Sequence, residues 1–248
     1  MSFRNLPNNL GRCLNDKEDA QIYLSSDENY VFKFTTYDNS KEYEMMNYVQ
    51  SPYTVPALNY IETADWNCLI LPAYLDGDAF TLIENNEVNE ENTKQIIYDI
   101  LKGLIHLESI NVIHHDIKPE NVFITRDDKT IHAVIGDFGL AEIVGHNMPI
   151  GCTYRYAAPE ILSNDSYDFN CDMWSIGVFM AVFLSNEMPF DGDQYEILEQ
   201  IHSTKVELPP YVSPEAQDLL DRLLCVDPVF RITPSEAIQH PWFANIEA

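Results

Sequence analysis

Two short motifs, close together in the chain, set the tightest limit on what it can fold into. His114-His115-Asp116-Ile117-Lys118-Pro119-Glu120-Asn121 reads H-x-D-x-K-x-x-N and runs into an apolar triplet, Val122-Phe123-Ile124. Gly136-Asp137-Phe138-Gly139 follows a second apolar triplet, Ala133-Val134-Ile135. Short apolar runs bounded by polar and turn residues read as strands. Two such strands hold two aspartates, a lysine and an asparagine at the same end of a hairpin-like unit. Hard oxygen ligands of this kind hold the metal ions that screen a phosphate. A carboxylate within hydrogen-bond reach of a hydroxyl accepts its proton. Transfer of a phosphoryl group needs both.

A chain of 248 residues buries a large core, as one domain or as two lobes. No apolar run approaches the length of a membrane span, so membrane insertion is not expected. The first residues carry no apolar signal core, and Ser2 is not a glycine open to acylation. The five cysteines are odd in number, scattered and without a C-x-x-C pair. That pattern implies reduced thiols and an intracellular location, cytoplasmic or nuclear. The seven histidines lack metal-ligand spacing, which argues against zinc. Forty acidic residues face 14 basic ones, for a net charge of −26. Nucleic acid and anionic membrane are poor partners for such a surface, while a basic peptide is attracted to it. Acidity that serves solubility or a high-salt habitat reads the same charge equally well.

Upstream, polar residues 1–12 read as a loose lead-in. Gln21-Ile22-Tyr23-Leu24 alternates like a strand, residues 25–29 read as a turn, and Tyr30-Val31-Phe32-Lys33-Phe34 as the next strand. Residues 41–49 are a helix candidate ahead of Ser51-Pro52. Cys68-Leu69-Ile70-Leu71 is an apolar strand. Residues 93–109 have helical spacing, with Ile96, Ile97, Ile100, Leu101, Leu104 and Leu107 on one stripe that packs a core.

Further along, Ala158-Pro159-Glu160 joins the two opening motifs in order. Residues 167–178 read Y-D-x-x-C-D-M-W-S-I-G-V, and residues 231–243 read R-I-T-x-x-E-A-I-x-H-P-W-F. Together these resemble a eukaryotic-type protein kinase, most like the calcium/calmodulin-dependent group, over about residues 10–243. Lys118-Pro119-Glu120-Asn121 points to the Ser/Thr form. The resemblance implies an α+β, bilobal fold, with a small antiparallel β-rich N-lobe (about 10–74) and a larger, mainly helical C-lobe (75–243). The whole of 1–248 then forms a single kinase domain. ATP and Mg²⁺ are the implied cofactors, and a protein hydroxyl is the implied acceptor.

The implied roles follow residue by residue. Asp116 accepts the hydroxyl proton, Lys118 stabilises the γ-phosphate, and Thr153 bridges the two. Asn121 and Asp137 hold Mg²⁺. Lys33 orients the α- and β-phosphates. Glu42, nine residues on and closer than usual, positions Lys33, with Glu44 as the alternative. Leu71 matches the gatekeeper, Pro72 offers a carbonyl and Tyr74 an N–H to the adenine, and Asp78 falls near the ribose. Asp172 braces the catalytic loop, and Glu160 pairs with Arg231 in a buried ion pair.

Departures from the pattern carry their own implications. Where a glycine-rich phosphate loop belongs, residues 11–20 keep only Gly11 and carry several acids. His115 replaces the arginine of H-R-D, which in many kinases helps bind an activation-loop phosphate. Glu142 stands where a second basic residue is often found. No Ser, Thr or Tyr lies between Asp137 and Thr153. Receptor and phosphosite are absent together, so activity independent of activation-loop phosphorylation is expected. Asp78 and Glu120 match acids that read an upstream arginine, while Val182 lacks another such acid. A moderate preference for one basic residue follows, and Leu140 leans towards Ser. A pseudokinase acting as a scaffold is the alternative, favoured by the degenerate loop and opposed by the six retained catalytic side chains.

Overall fold

The computed structural model describes residues 9–17, 19–127, 130–144 and 152–246. Strands β1 (Leu10–Asp16), β2 (Ala20–Ser25) and β3 (Tyr30–Thr35) lead into helix α1 (Ser40–Tyr48), then β4 (Asn59–Glu62) and β5 (Asn67–Pro72). They form one antiparallel sheet in the order β1-β2-β3-β5-β4. β3 lies at its centre, with Lys33 opposite Ile22 on one side and Leu69 on the other. Strand alternation sends Phe32 and Phe34 into a small core with Trp66 and Cys68. Phe34 meets Trp66 edge-on at 5.2 Å. Lys33, between the two phenylalanines, is therefore on the opposite face.

The second lobe begins with α2 (Ala79–Glu84) and α3 (Glu90–Ser109), followed by the short strands β6 (Val112–Ile113), β7 (Val122–Arg126), β8 (Ile131–Ile135) and β9 (Glu142–Ile143). Helices α4 (Pro159–Leu162), α5 (Asn170–Ser185), α6 (Gln194–Ser203), α7 (Pro214–Leu223) and α8 (Pro234–Ala237) complete it. α5 is apolar on every side and is buried without interruption over residues 171–184. A helix hydrophobic all round belongs at the centre of a core. α3 packs its apolar stripe into the same core. Several helix starts are capped by side chains: Asp78, Asn89, Asp193, Ser213 and Thr233 each accept a backbone N–H of their own first turn. The segment after α1 joins the two lobes, because Val55 N–H donates to Ile135 O and Ile135 N–H to Tyr53 O, each at 2.8 Å. Among the described residues no helix is long and apolar enough to cross a membrane.

The α+β, bilobal arrangement agrees with the expectation. Some element bounds differ. α3 starts one turn before residue 93, because Asn89 caps it and Glu90 and Glu91 favour the positive end of the helix dipole. The expected loose lead-in does not reach residue 12, since residues 10–12 already belong to β1. Residues 1–8 of that lead-in lie outside the described residues. β1 runs on through the expected phosphate loop to Asp16, with bulges at Cys13, and Lys17 N–H closes a tight turn on Ala20 O at 3.0 Å. Gly11 lets β1 lie close against β2: a Cβ there would lie 2.9 Å from Leu24 O.

Candidate active site

The loop between β6 and β7 is held from beneath. Asp172, buried at the start of α5, accepts His114 N–H at 2.8 Å and His115 N–H at 2.9 Å. His115 takes the left-handed conformation, φ 67°, which the brace stabilises. His114 Nδ1 accepts Asp116 N–H at 3.2 Å, so its Nε2 carries the ring proton and donates to Gly136 O at 3.0 Å. One imidazole thus ties the loop to the Gly136-Asp137 turn. Its ring also meets Phe138 edge-on at 4.9 Å. Neither His114 contact was foreseen from sequence, where it was one more motif letter.

Asp116 is the hub above this brace. Its Oδ1 accepts the Thr153 hydroxyl at 2.7 Å, and its Oδ2 accepts Lys118 Nζ at 2.6 Å and Asn121 Nδ2 at 2.7 Å. Lys118 Nζ donates to Thr153 Oγ1 at 2.8 Å, which closes a ring of three side chains. Asn121 Nδ2 also donates to Asp116 O at 2.8 Å. The amide nitrogen is therefore committed, and the amide oxygen is what Asn121 can offer a cation.

Lys33 Nζ lies 3.6 Å from Asp137 Oδ1 and donates to both oxygens of Glu42. Glu42 is buried beside Met46 on the inner face of α1, while Glu44 is exposed, which decides between the two candidates. Burial lowers the Lys33 pKa, but Asp137 and then Glu42 outweigh it and hold the ammonium above its ordinary value. Asp137 adopts φ 57° and accepts Gly139 N–H at 3.4 Å. Desolvation in the cleft pushes its carboxyl up, yet Lys33 and His114 hold it below the ordinary range.

Leu71 and Pro72 end β5, and the Tyr74 ring stacks on Phe123 at 5.4 Å. Ala73 N–H is bonded to Asn29 O, while Tyr74 N–H has no hydrogen bond among the described residues. Asp78 caps α2: its Oδ1 accepts both the N–H and the hydroxyl of Thr81, at 2.9 and 2.8 Å. Glu120 is exposed next to Asn121, and Val182 is buried on α5. The expected brace by Asp172 and the ion pair of Arg231 with Glu160 are both present, the latter at 2.6 and 2.9 Å.

The donor set suits a divalent ion that arrives with phosphate. Among the described residues no cluster of three or more His, Cys, Asp or Glu could hold a metal alone. One carboxylate, on Asp137, and one amide oxygen, on Asn121, are the kind of partial shell that Mg²⁺ completes with phosphate oxygens and water. A cavity of about 410 Å³, lined by Ile83, Phe183 and Tyr211 among others, is formed by other residues and has no part in this site.

Residues 26–243 match the protein kinase domain. Myosin light chain kinase A of Dictyostelium discoideum is 32% identical over 213 residues, 82% of this chain and 72% of the relative. SNF1-related protein kinase catalytic subunit alpha KIN12 of Arabidopsis thaliana is 31% identical over 210 residues, 83% of this chain and 42% of the relative. Calcium/calmodulin-dependent protein kinase type II subunit delta of Oryctolagus cuniculus is 30% identical over 215 residues, 83% of this chain and 40% of the relative. The chain thus spans less than half the length of the last two. The β1–β2 hairpin falls outside the matched region; every residue that builds the site falls inside it, and the chain belongs to the protein kinase domain family.

Proposed function

We propose that this chain is a Ser/Thr protein kinase that transfers the γ-phosphate of ATP to a protein hydroxyl. The closed ring of Asp116, Lys118 and Thr153 is the observation that carries the reading. Asp116 takes the proton of the attacking hydroxyl, and Thr153 and Lys118 fix the carboxylate for it. Lys118 then balances the charge that develops on the phosphoryl oxygens. Lys33, oriented by Glu42, meets the α- and β-phosphates. Leu71, Pro72 and Tyr74 border the adenine pocket, and Asp78 stands near the ribose. Asn121 and Asp137 hold Mg²⁺, which neutralises phosphate charge when bound. Catalysis in such a site is alignment and charge screening.

The finer features belong to the same proposal. Residues 10–74 and 75–243 are the two lobes of one domain. The substrate carries a basic residue upstream of the acceptor, read by Asp78 and Glu120. The chain works inside the cell, where its five cysteines, all unpaired, stay reduced. Activity does not depend on activation-loop phosphorylation; residues 145–151 of that segment lie outside the described residues. One observation favours the scaffold reading instead: Asp16 and Asp19 flank the tip of the β1–β2 hairpin, where phosphates would need donors. The test is γ-phosphate transfer to a basic Ser peptide with Mg²⁺, beside an Asp116→Asn control. Transfer by the wild type alone supports the enzyme; equal signals from both proteins support the scaffold.

A further inference from the structure

Behind the catalytic loop lies a second polar cluster that the transfer chemistry does not use. His115 Nε2 is 3.2 Å from Glu142 Oε1, and both side chains are largely buried. The pair is within ion-pair range but off the axis of a hydrogen bond, so Nε2 has no aligned acceptor. The Tyr167 hydroxyl donates to the same Glu142 oxygen at 2.6 Å. The Tyr167 ring also stands edge-on to the His115 ring at 5.1 Å. Three segments distant in sequence meet here: the residue before Asp116, the segment after Asp137, and the loop ahead of α5.

The backbone supports the same junction. Ile113 pairs with Glu142 in the β6–β9 ladder, and Val144 N–H donates to Asn111 O at 2.9 Å. That ladder has only two residue pairs. Strands this short need side-chain contacts to stay paired. Burial first, then Glu142, pushes the Tyr167 pKa up, so the phenol remains a donor. No hydroxyl side chain lies in residues 138–152, so no phosphate on a hydroxyl of that segment can supply an anion there.

We propose that Glu142 is a positioning residue: a built-in anion, held by the Tyr167 hydroxyl beside the His115 ring, that locks the activation segment to the catalytic loop. The carboxylate fixes β9 against β6. This keeps His115 in its left-handed conformation beside Asp116 and the 152–153 stretch in reach of Lys118. The proposal rests on the kinase reading for its effect on rate, but its structural half is independent of that reading.

The test uses the full chain with Glu142→Ala, Glu142→Gln, Tyr167→Phe and the double variant Glu142→Ala/Tyr167→Phe. Steady-state kinetics are read beside hydrogen exchange at the amides of residues 112–113 and 142–144. Expected for Glu142→Ala is a kcat lower by about 10- to 100-fold, the scale of a small misplacement of reacting groups. KM for ATP stays unchanged, because Lys33, Glu42 and Asp137 are untouched. Glu142→Gln, which still accepts from Tyr167, recovers part of the loss. Tyr167→Phe keeps the ring and removes one oxygen, so it folds and shows a smaller loss. The double variant is no slower than Glu142→Ala alone, since both act through one tether. A Glu142→Ala kcat within about twofold of wild type, or losses that multiply independently, overturns the proposal. If the wild type transfers no phosphate, the kinase reading fails by itself. Exchange then decides: faster exchange at 142–144 in Glu142→Ala upholds the clamp, and unchanged exchange overturns it.

Discussion

Lys33 Nζ donates to both oxygens of Glu42, at 2.8 and 2.9 Å, although nine positions separate the two residues. A tight connection makes the short interval sufficient. The Thr35 hydroxyl shares its one proton between Tyr37 O at 2.9 Å and Asn39 Oδ1 at 3.1 Å, which folds residues 36–39 back and brings α1 in over β3. Glu42→Gln removes the charge and leaves Lys33 drawn towards Asp137 alone. Activity measured as kcat/KM is expected to fall about 10- to 100-fold through misplacement of the ammonium. Glu44→Gln, on the exposed face, should leave it unchanged.

Arg231 and Glu160 form a bidentate pair with almost no exposure, and the guanidinium lies 5.2 Å over the Trp174 ring. Removing one partner strands the other charge in the core. Arg231→Met or Glu160→Leu alone should each destabilise the fold by about 3–5 kcal/mol in urea unfolding. The double change should recover much of that loss, because an apolar pair needs no compensation. Additive losses would contradict this account of the pair.

Glu90 opens α3 and accepts Ser213 N–H at 3.0 Å, Trp242 Nε1–H at 2.9 Å and the Ser213 hydroxyl. Partial burial pushes its carboxyl up, but the donors, Ser213 before Trp242, bring it below the ordinary value. A carboxyl with a depressed folded pKa contributes stability above its unfolded pKa, about 4.3. That contribution is lost as pH falls through the lower, folded value. Glu90→Gln should therefore cost about 1–3 kcal/mol near neutral pH. The gap to wild type should close as both are unfolded in increasingly acid buffer.

The cysteines differ in reactivity because they differ in burial. Burial pushes the Cys68 thiol up to about 12, and it holds Cys171 well above its ordinary value, with Asp172 and Glu160 adding to the effect. Cys13 is exposed. The thiolate is the reacting form. Iodoacetamide at neutral pH should label Cys13 in the native protein and reach Cys68 and Cys171 only after unfolding, read by peptide mass. Native labelling of Cys68 at the rate of Cys13 would show that the small lobe opens.

The meeting of side chains around Asp116 was legible because it is set by local backbone: Asp116, Lys118 and Asn121 lie within one loop, and only Thr153 comes from elsewhere. Glu42 and Glu44 could not be separated by spacing. Burial with Met46, four residues on, separates them, and that face is known only once α1 is docked. Long-range polar contacts were out of reach. Asp99 sits among the apolar residues of α3, where it accepts Ala133 N–H at 3.1 Å, and no periodicity announces that partner. Tyr167 and Glu142 are 25 residues apart, and their contact exists only after β9 has paired with β6. Asp78 was read only as an acid near the ribose; its role as the cap of α2 emerges from the fold.

The β1–β2 hairpin is where kinase chemistry meets its hardest requirement. β1 is exposed along most of its length, and Asp16 accepts a hydrogen bond from Gln21 Nε2 near the tip. On the proposed function, phosphates under that roof meet the carboxylates of Asp16 and Asp19. On that same reading, Lys33, Lys118, Asn121 and Asp137 carry the nucleotide from below, which weakens ATP binding more than it slows transfer. The rate of γ-phosphate transfer to a basic Ser peptide, followed across ATP concentrations with Mg²⁺ in excess, tests this most directly. The expected result is saturation with a KM in the upper micromolar to millimolar range, and no transfer by Asp116→Asn at any concentration. A wild-type rate that stays at the Asp116→Asn level up to millimolar ATP would contradict the account.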